Sequence, residues 1–158
     1  MNNEVSIRLA KPADARAIAG LWLAMMREHE DYEPHVTLSP GAEEAYHQYA
    51  SHHIIQTDSI VYVAEQNREI VGYCLAFKTR NLPMFLPEFY GYLSDIALHP
   101  NLRGKGIGDT ILQRVQDWFR EQGCKNIQLQ VYYRNEGGKN FWQKANFENF
   151  VNGLWFDL

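Results

Sequence analysis

Cysteine is scarce: only Cys74 and Cys124 occur in 158 residues. A disulfide framework is therefore not expected to hold this chain together. Long hydrophobic runs are missing as well. Apolar residues make up 46% of the sequence, yet no stretch approaches the roughly 20 residues that span a bilayer, so no membrane partner is expected. The start, MNNEVSIRL, has no basic segment leading into an apolar one and does not read as an export signal. Together these features predict a cytoplasmic protein. A basic excess is also lacking, with 15 Lys and Arg against 19 Asp and Glu, net charge −4 and pI about 5.8. That balance argues against a nucleic-acid surface. The six histidines (29, 35, 47, 52, 53 and 99) do not fall at zinc-binding spacings, so no metal is expected.

What is present is a regular succession of elements. The length suits a single domain over residues 1–158. Val5, Ile7 and Leu9 alternate as a strand. Pro12 and Asp14 suit a helix start, and Ala15, Ile18, Ala19, Trp22, Leu23 and Met26 recur at helical spacing to about Glu30. Ser39-Pro40-Gly41 opens a second helix to about Gln56. Ser59–Glu65 and Ile70–Phe77 are β-branched apolar runs that read as a hairpin. Asn81–Phe89 is a proline-containing, apolar loop, either a cover for a pocket or a flap over the core end. Tyr92–Leu98 is a further strand, Ile107 to about Gln122 an amphipathic helix, and Ile127–Val131 a strand. Asn135 begins a short helix, and Phe147–Leu158 is predicted to be a final hairpin turning at Asn152-Gly153. The order predicts an α/β domain around a mixed sheet.

Chemistry concentrates where the Tyr92–Leu98 strand meets Arg103-Gly104-Lys105-Gly106-Ile107-Gly108. A strand feeding a glycine turn that opens a helix presents free N–H groups and a positive helix end, which suits an anion. Arg103 and Lys105 add charge there, so the turn reads as a phosphate or pyrophosphate site. A P-loop would need Ser or Thr after its lysine, and Gly106 follows Lys105. A dinucleotide fingerprint would need an acid about twenty residues on, where Gln128 and Gln130 stand. Upstream, residues 27–35 hold four acids and one arginine. They read either as a solvated helix end or as an acidic patch that concentrates a cationic substrate.

The pattern Arg103-x-x-Gly106-x-Gly108 after an apolar strand resembles the acetyl-coenzyme A signature of the GNAT superfamily of N-acetyltransferases. The order of elements is similar too, and NEGGKNFWQKANF (135–147) is similar to that family's segment near its C-terminal end. The resemblance implies a GNAT-like domain, its mixed, mostly antiparallel β-sheet splayed at the centre and flanked by helices. Acetyl-CoA is the implied co-substrate. Backbone groups of Ile96, Ala97 and Leu98 would hold the pantetheine arm, and Arg103, Gly104, Lys105, Gly106, Ile107 and Gly108 the pyrophosphate. Asn135 would touch the pantetheine. The implied activity is transfer of an acetyl group to a primary amine, by direct attack on the thioester. The acceptor would be a small cation or a peptide.

Two positions depart from the family pattern. Trp142 stands where the tyrosine that protonates the thiolate is usual; its indole N–H donates a hydrogen bond but is no useful acid. Tyr132, Tyr133, Tyr90 and Tyr92 are the candidate substitutes. Tyr92 and Ser94 occupy the face that often carries a glutamate base. Asp95 is the strand's one acid. Simple alternation puts it opposite, with Leu93 and Ala97, unless a bulge re-aims it. An amine needs a base to deprotonate it, which leaves Asp95, Glu88, or a water held by Ser94. The buried aspartate has an equally good structural reading as a support for backbone. Gly138 and Asn146 also replace the more usual alanine and glycine. The alternative function is a non-catalytic acetyl-CoA or acyl-CoA sensor. The final hairpin offers a surface for homodimer pairing.

Overall fold

A computed structural model describes residues 4–158; residues 1–3, part of the stretch read for an export signal, lie outside the described residues. Five strands form one sheet in the order β1-β2-β3-β4-β5. They are β1 (Ser6–Leu9), β2 (Ser59–Gln66), β3 (Glu69–Arg80), β4 (Phe89–Leu98) and β5 (Ile127–Gln128). The first four pair antiparallel, and β5 joins β4 in parallel. Helices α1 (Ala15–Tyr32) and α2 (Ala42–Ile55) cover one face, while α3 (Ile107–Glu121) and α4 (Glu136–Lys144) cover the other.

Two apolar layers follow from the period-2 pattern of the strands. Val61, Val63, Tyr73 and Leu75 pack on Ile18, Ala19 and Ala50 of α1 and α2. Ala64, Cys74, Ala76 and Leu93 pack on Ile111, Val115, Phe119 and Trp142 of α3 and α4. The sheet meets α3 so closely at Gly91 that a Cβ there would lie 2.7 Å from the Phe119 ring. An ion-pair cluster closes the first corner. Arg8 on β1 binds Asp14, at the start of α1, at 2.7 Å and Glu65 on β2 at 2.6 Å.

Three sequence expectations are corrected. β5 pairs over two residues rather than five: only Gly91↔Ile127 and Tyr92↔Gln128 are joined, and the strands then part. The final hairpin does not form: residues 147–158 contain no strand. β4 begins at Phe89 rather than Tyr92, which leaves Asn81–Glu88 as the β3–β4 loop, tied by Asn81 N–H to Glu88 O at 2.7 Å.

Candidate active site

The parting of β4 from β5, the last strand of the sheet, opens a gap beside the C-terminal half of β4. His99 N–H donates to Val71 O at 2.8 Å. Antiparallel pairing alternates, so Ala97 also turns its N–H and C=O toward β3, whereas Ile96 and Leu98 turn theirs into the gap. Of the three residues expected to line the arm of a coenzyme, Ile96 and Leu98 thus turn backbone groups into the gap and Ala97 does not.

The glycine turn follows directly. Gly104 and Gly106 adopt φ of 73° and 79°, conformations that cost a residue with a Cβ. Among the described residues, the N–H groups of Gly104 through Gly108 donate to no protein acceptor, so successive donors point outward at the start of α3. This is a nest of the kind that holds anions, reinforced by the helix dipole. Arg103 differs: its own N–H is used by Pro100 O at 3.3 Å. Its side chain is braced by Leu98 O at 3.3 Å and Glu28 at 3.0 Å. Lys105 lines, with Ile7, Thr110 and Arg114, a cavity of about 370 Å³ beside the turn.

Across the gap stands the start of α4. Asn135 Oδ1 accepts from Gly138 N–H at 2.8 Å, capping the helix, and Asn135 Nδ2 donates to His29 Nε2 at 3.3 Å. His29 Nδ1 donates to Met25 O at 2.7 Å. Gly138 stands where the family more often has alanine, and the reason is local: a Cβ there would lie 2.6 Å from Asn135 Nδ2. Asn146, in place of the more usual glycine, takes a φ of 64°, which asparagine tolerates. It ends α4 with Phe147 N–H on Trp142 O at 2.9 Å. Trp142 itself is buried against Phe141 and Phe147 in the α3–α4 layer. Tyr132 is partly exposed, with its ring edge on His29.

The acid in β4 is re-aimed by a bulge. Leu75 pairs with Asp95 and Ala76 with Leu93, so Ser94 is the extra residue. Leu93 stays in the α3–α4 layer while Asp95 faces α1 and α2. Asp95 Oδ2 accepts from Tyr46 Oη and from Ser94 Oγ, each at 2.7 Å. Tyr49 Oη lies 3.1 Å from Ser94 Oγ, and Tyr73 Oη donates to Tyr46 Oη at 3.2 Å. Since Ser94 spends its one proton on Asp95, Tyr49 donates to Ser94. Burial raises the Asp95 pKa above the ordinary carboxylate range, with the Tyr46 and Ser94 hydrogen bonds opposing. Tyr49 and Tyr46 open onto a groove of about 440 Å³ walled by Trp22, Thr37, Leu38 and Ser39. Trp22 stacks on Tyr46 at 4.5 Å.

Sequence reasoning missed His29, Tyr46 and Tyr49. A tyrosine at a core position of a helix needs a partner for its hydroxyl, and a buried aspartate needs donors; those two needs were the available signal. The acidic stretch is also less free than its composition suggests. Glu28 holds Arg103, and Glu33, only 5% exposed, holds Arg134 at 3.1 Å. Among the described residues no three His, Cys, Asp or Glu side chains are grouped to hold a metal, and no helix is long and apolar enough to cross a membrane.

The sheet thus splits beside a helix start with outward N–H donors, and a half-buried acid lies next to the split. The family model for the acetyltransferase (GNAT) family matches residues 22–147, and the chain belongs to that family of acetyl-CoA-dependent N-acetyltransferases. It is 26% identical over 144 residues to YhfO of Bacillus subtilis, an uncharacterised N-acetyltransferase, covering 91% of this chain and 90% of the relative. It is 29% identical over 136 residues to a thialysine N-epsilon-acetyltransferase of Bos taurus, covering 80% and 74%. Among solved structures, a predicted acetyltransferase with acetyl-CoA from Clostridium acetobutylicum superposes with a TM-score of 0.81 at 16% identity, covering 98% of this chain and 96% of that one.

Proposed function

We propose that this chain, acting as one domain over residues 1–158 in the cytoplasm, moves the acetyl group of acetyl-CoA to a primary amine. The acceptor is a small cationic or peptide-like molecule rather than a nucleic acid or a membrane. The observation that carries this reading is the gap beside β4, where Ile96 and Leu98 offer backbone groups and the Gly104–Gly108 nest follows at once.

Acetyl-CoA supplies the thioester carbonyl that the amine attacks. The Gly104–Gly108 N–H groups hold the pyrophosphate, with Arg103 and Lys105 as flanking cations. Ile96 and Leu98 align the pantetheine arm, and the Leu98 N–H faces the oxygen that gains charge. Asn135 uses its second amide proton on the arm, since the first is on His29. The acceptor lies in the groove between α1 and α2, whose lining includes the aromatic rings of Trp22 and Tyr49. Glu30 and Asp31 stay exposed at the end of α1 and draw cations toward it. A primary amine must lose a proton before it attacks. The route runs from the groove through Tyr49 and Ser94 to Asp95, whose pKa is raised by burial. Tyr132, at the edge of the gap, returns a proton to the thiolate. The name of the bovine relative refers to a side-chain amine, in keeping with such an acceptor.

The second reading, a non-catalytic acyl-CoA sensor, has one observation in its favour: Trp142 fills the family's tyrosine position and is packed in the core. Calorimetric titration with acetyl-CoA tests what both readings share. Binding by the native chain, with an affinity loss of tenfold or more in Gly106→Ala, is expected. Equal affinities would remove the nest from the account.

A further inference from the structure

Three polar or charged side chains are buried among the described residues: Asp14, His29 and Glu33. Asp14 and Glu33 each meet an arginine. His29, in the last turn of α1, has no ion-pair partner among those residues, and the transfer described above gives it no step. Both of its ring nitrogens are nevertheless engaged, Nδ1 at 2.7 Å from Met25 O and Nε2 at 3.3 Å from Asn135 Nδ2. The hydrogen bond at one nitrogen of an imidazole sets what the other nitrogen can do.

Every proton in this chain of contacts has one place to be. Gly138 N–H can only donate, so Asn135 turns Oδ1 to it at 2.8 Å and Nδ2 to His29. Nδ2 also can only donate, so Nε2 is the nitrogen with the lone pair. Met25 O can only accept, so the ring hydrogen sits on Nδ1. The reversed amide would set N–H against N–H at Gly138. One Nδ2 proton thus goes to His29, and among the described residues no protein acceptor takes the other. Tyr132 belongs to the same group. Its C=O accepts from Asn135 N–H at 2.9 Å, and its ring lies edge-on to the imidazole with centroids 5.2 Å apart. Tyr32 packs on the imidazole as well, at 5.3 Å.

We infer that His29 is a positioning residue for the coenzyme: its Nε2 lone pair holds the Asn135 amide so that the second Nδ2 proton faces the β4–β5 gap and meets a carbonyl of the pantetheine arm. The inference rests on the acetyl-CoA site proposed above, and it is independent of which amine the protein uses. Asn135 Oδ1 is already fixed by the helix cap, but a cap alone leaves the NH2 group free to swing about that anchor. The imidazole removes this freedom, because a buried donor left without its acceptor is costly. The contacts of His29 with Tyr32 and Tyr132 depend on the shape of the ring, whereas the contact with Asn135 depends on its lone pair. The two roles are therefore separable by substitution.

The test is calorimetric affinity for two ligands: acetyl-CoA, and 3′-phospho-ADP, which keeps the nucleotide end of the coenzyme and lacks the arm. His29→Phe keeps a ring and removes the acceptor. It is expected to weaken acetyl-CoA by about five- to tenfold, the effect of one hydrogen bond, and to leave 3′-phospho-ADP unchanged. His29→Gln, whose side-chain oxygen reaches the place of Nε2, is expected to restore acetyl-CoA binding to within about twofold of native. Serine at 135 still caps α4 but has no amide. In an Asn135→Ser background, His29→Phe is therefore expected to cost nothing further. Equal acetyl-CoA affinity in the native chain and His29→Phe overturns the inference. So does a parallel loss of 3′-phospho-ADP, a His29→Gln chain as weak as His29→Phe, or a His29→Phe penalty that persists beside Asn135→Ser. A native chain that binds no acetyl-CoA overturns the coenzyme site itself and this inference with it, an outcome seen before any variant is made.

Discussion

Asp95 carries the heaviest demand at the level of single residues. It is half-buried, receives two hydrogen bonds, and is held above its ordinary pKa by desolvation. Asp95→Asn keeps an acceptor for Tyr46 and Ser94 but removes the proposed base. The expected outcome is a fall in kcat of about 10²–10⁴-fold, with acetyl-CoA affinity retained. In the native enzyme the rising limb of the rate profile should lie above the usual aspartate pKa of about 3.9 and should vanish in the variant. A limb that survives Asp95→Asn would assign the base elsewhere. Stability follows the same sign. A raised folded pKa stabilises the fold below the unfolded value, and that contribution is lost as pH rises through the folded one. Asp95→Asn should therefore not destabilise the protein at neutral pH as a broken ion pair would. Arg103→Glu would set a second acid beside Glu28; acetyl-CoA affinity is expected to fall by tenfold or more, measured by calorimetry, and an unchanged value would free Arg103 from the coenzyme site.

At the scale of elements, two short turns frame the gap. In the first, a Cβ on Gly106 meets nothing within 4 Å, so Gly106→Ala is strained only through its φ of 79°, at roughly 1–2 kcal/mol. In the second, the conflict is steric. Alanine in a helix is ordinarily better than glycine by up to about 1 kcal/mol. Gly138→Ala should nonetheless raise the KM for acetyl-CoA, because the new methyl displaces Asn135 from its cap and from His29. A stabilised variant with native KM would show that the Asn135 geometry is dispensable. These elements also mark how far the sequence could be read. Strands β2 to β4 and helices α1 to α3 were legible because each buries a periodic face large enough to fix its place. The final hairpin was not, although Asn152-Gly153 is a strong turn signal, because two strands alone are marginal without a sheet to receive them. β5 was overextended for a related reason: alternation in Ile127–Val131 reports a half-buried face, and it says nothing of whether a neighbour continues alongside. The bulge at Ser94 likewise leaves no mark in a seven-residue apolar run, so the face of Asp95 had to come from the register.

Considered as a whole, the molecule is joined at its first corner by charge and opened between β4 and β5. Asp14 is nearly buried, and hydrogen bonding from Arg8 holds its pKa below the ordinary range. The depressed value means its stabilisation is present above the unfolded pKa of about 3.9 and fades as pH falls through the folded one. Asp14→Asn should therefore cost on the order of 2 kcal/mol at neutral pH, read by denaturant unfolding. The difference from the native chain should shrink toward acid; a constant difference would deny the ion pair its role. The α1 helix ties both rims of the β4–β5 gap, through Glu28 to Arg103 and through His29 to Asn135. It thereby links the groove beside Trp22 and Tyr49 on one face to the glycine turn at the end of β4.

The central claim, that this cleft transfers acetyl groups to amines, meets its most direct test in thiol release from acetyl-CoA across a panel of polyamines, aminoglycosides, amino acids and short peptides. The account predicts thiol appearing with one class of amine and matching acetylation of that amine by mass spectrometry. Silence across the panel by a protein that still binds acetyl-CoA would contradict it and leave the sensor reading in its place.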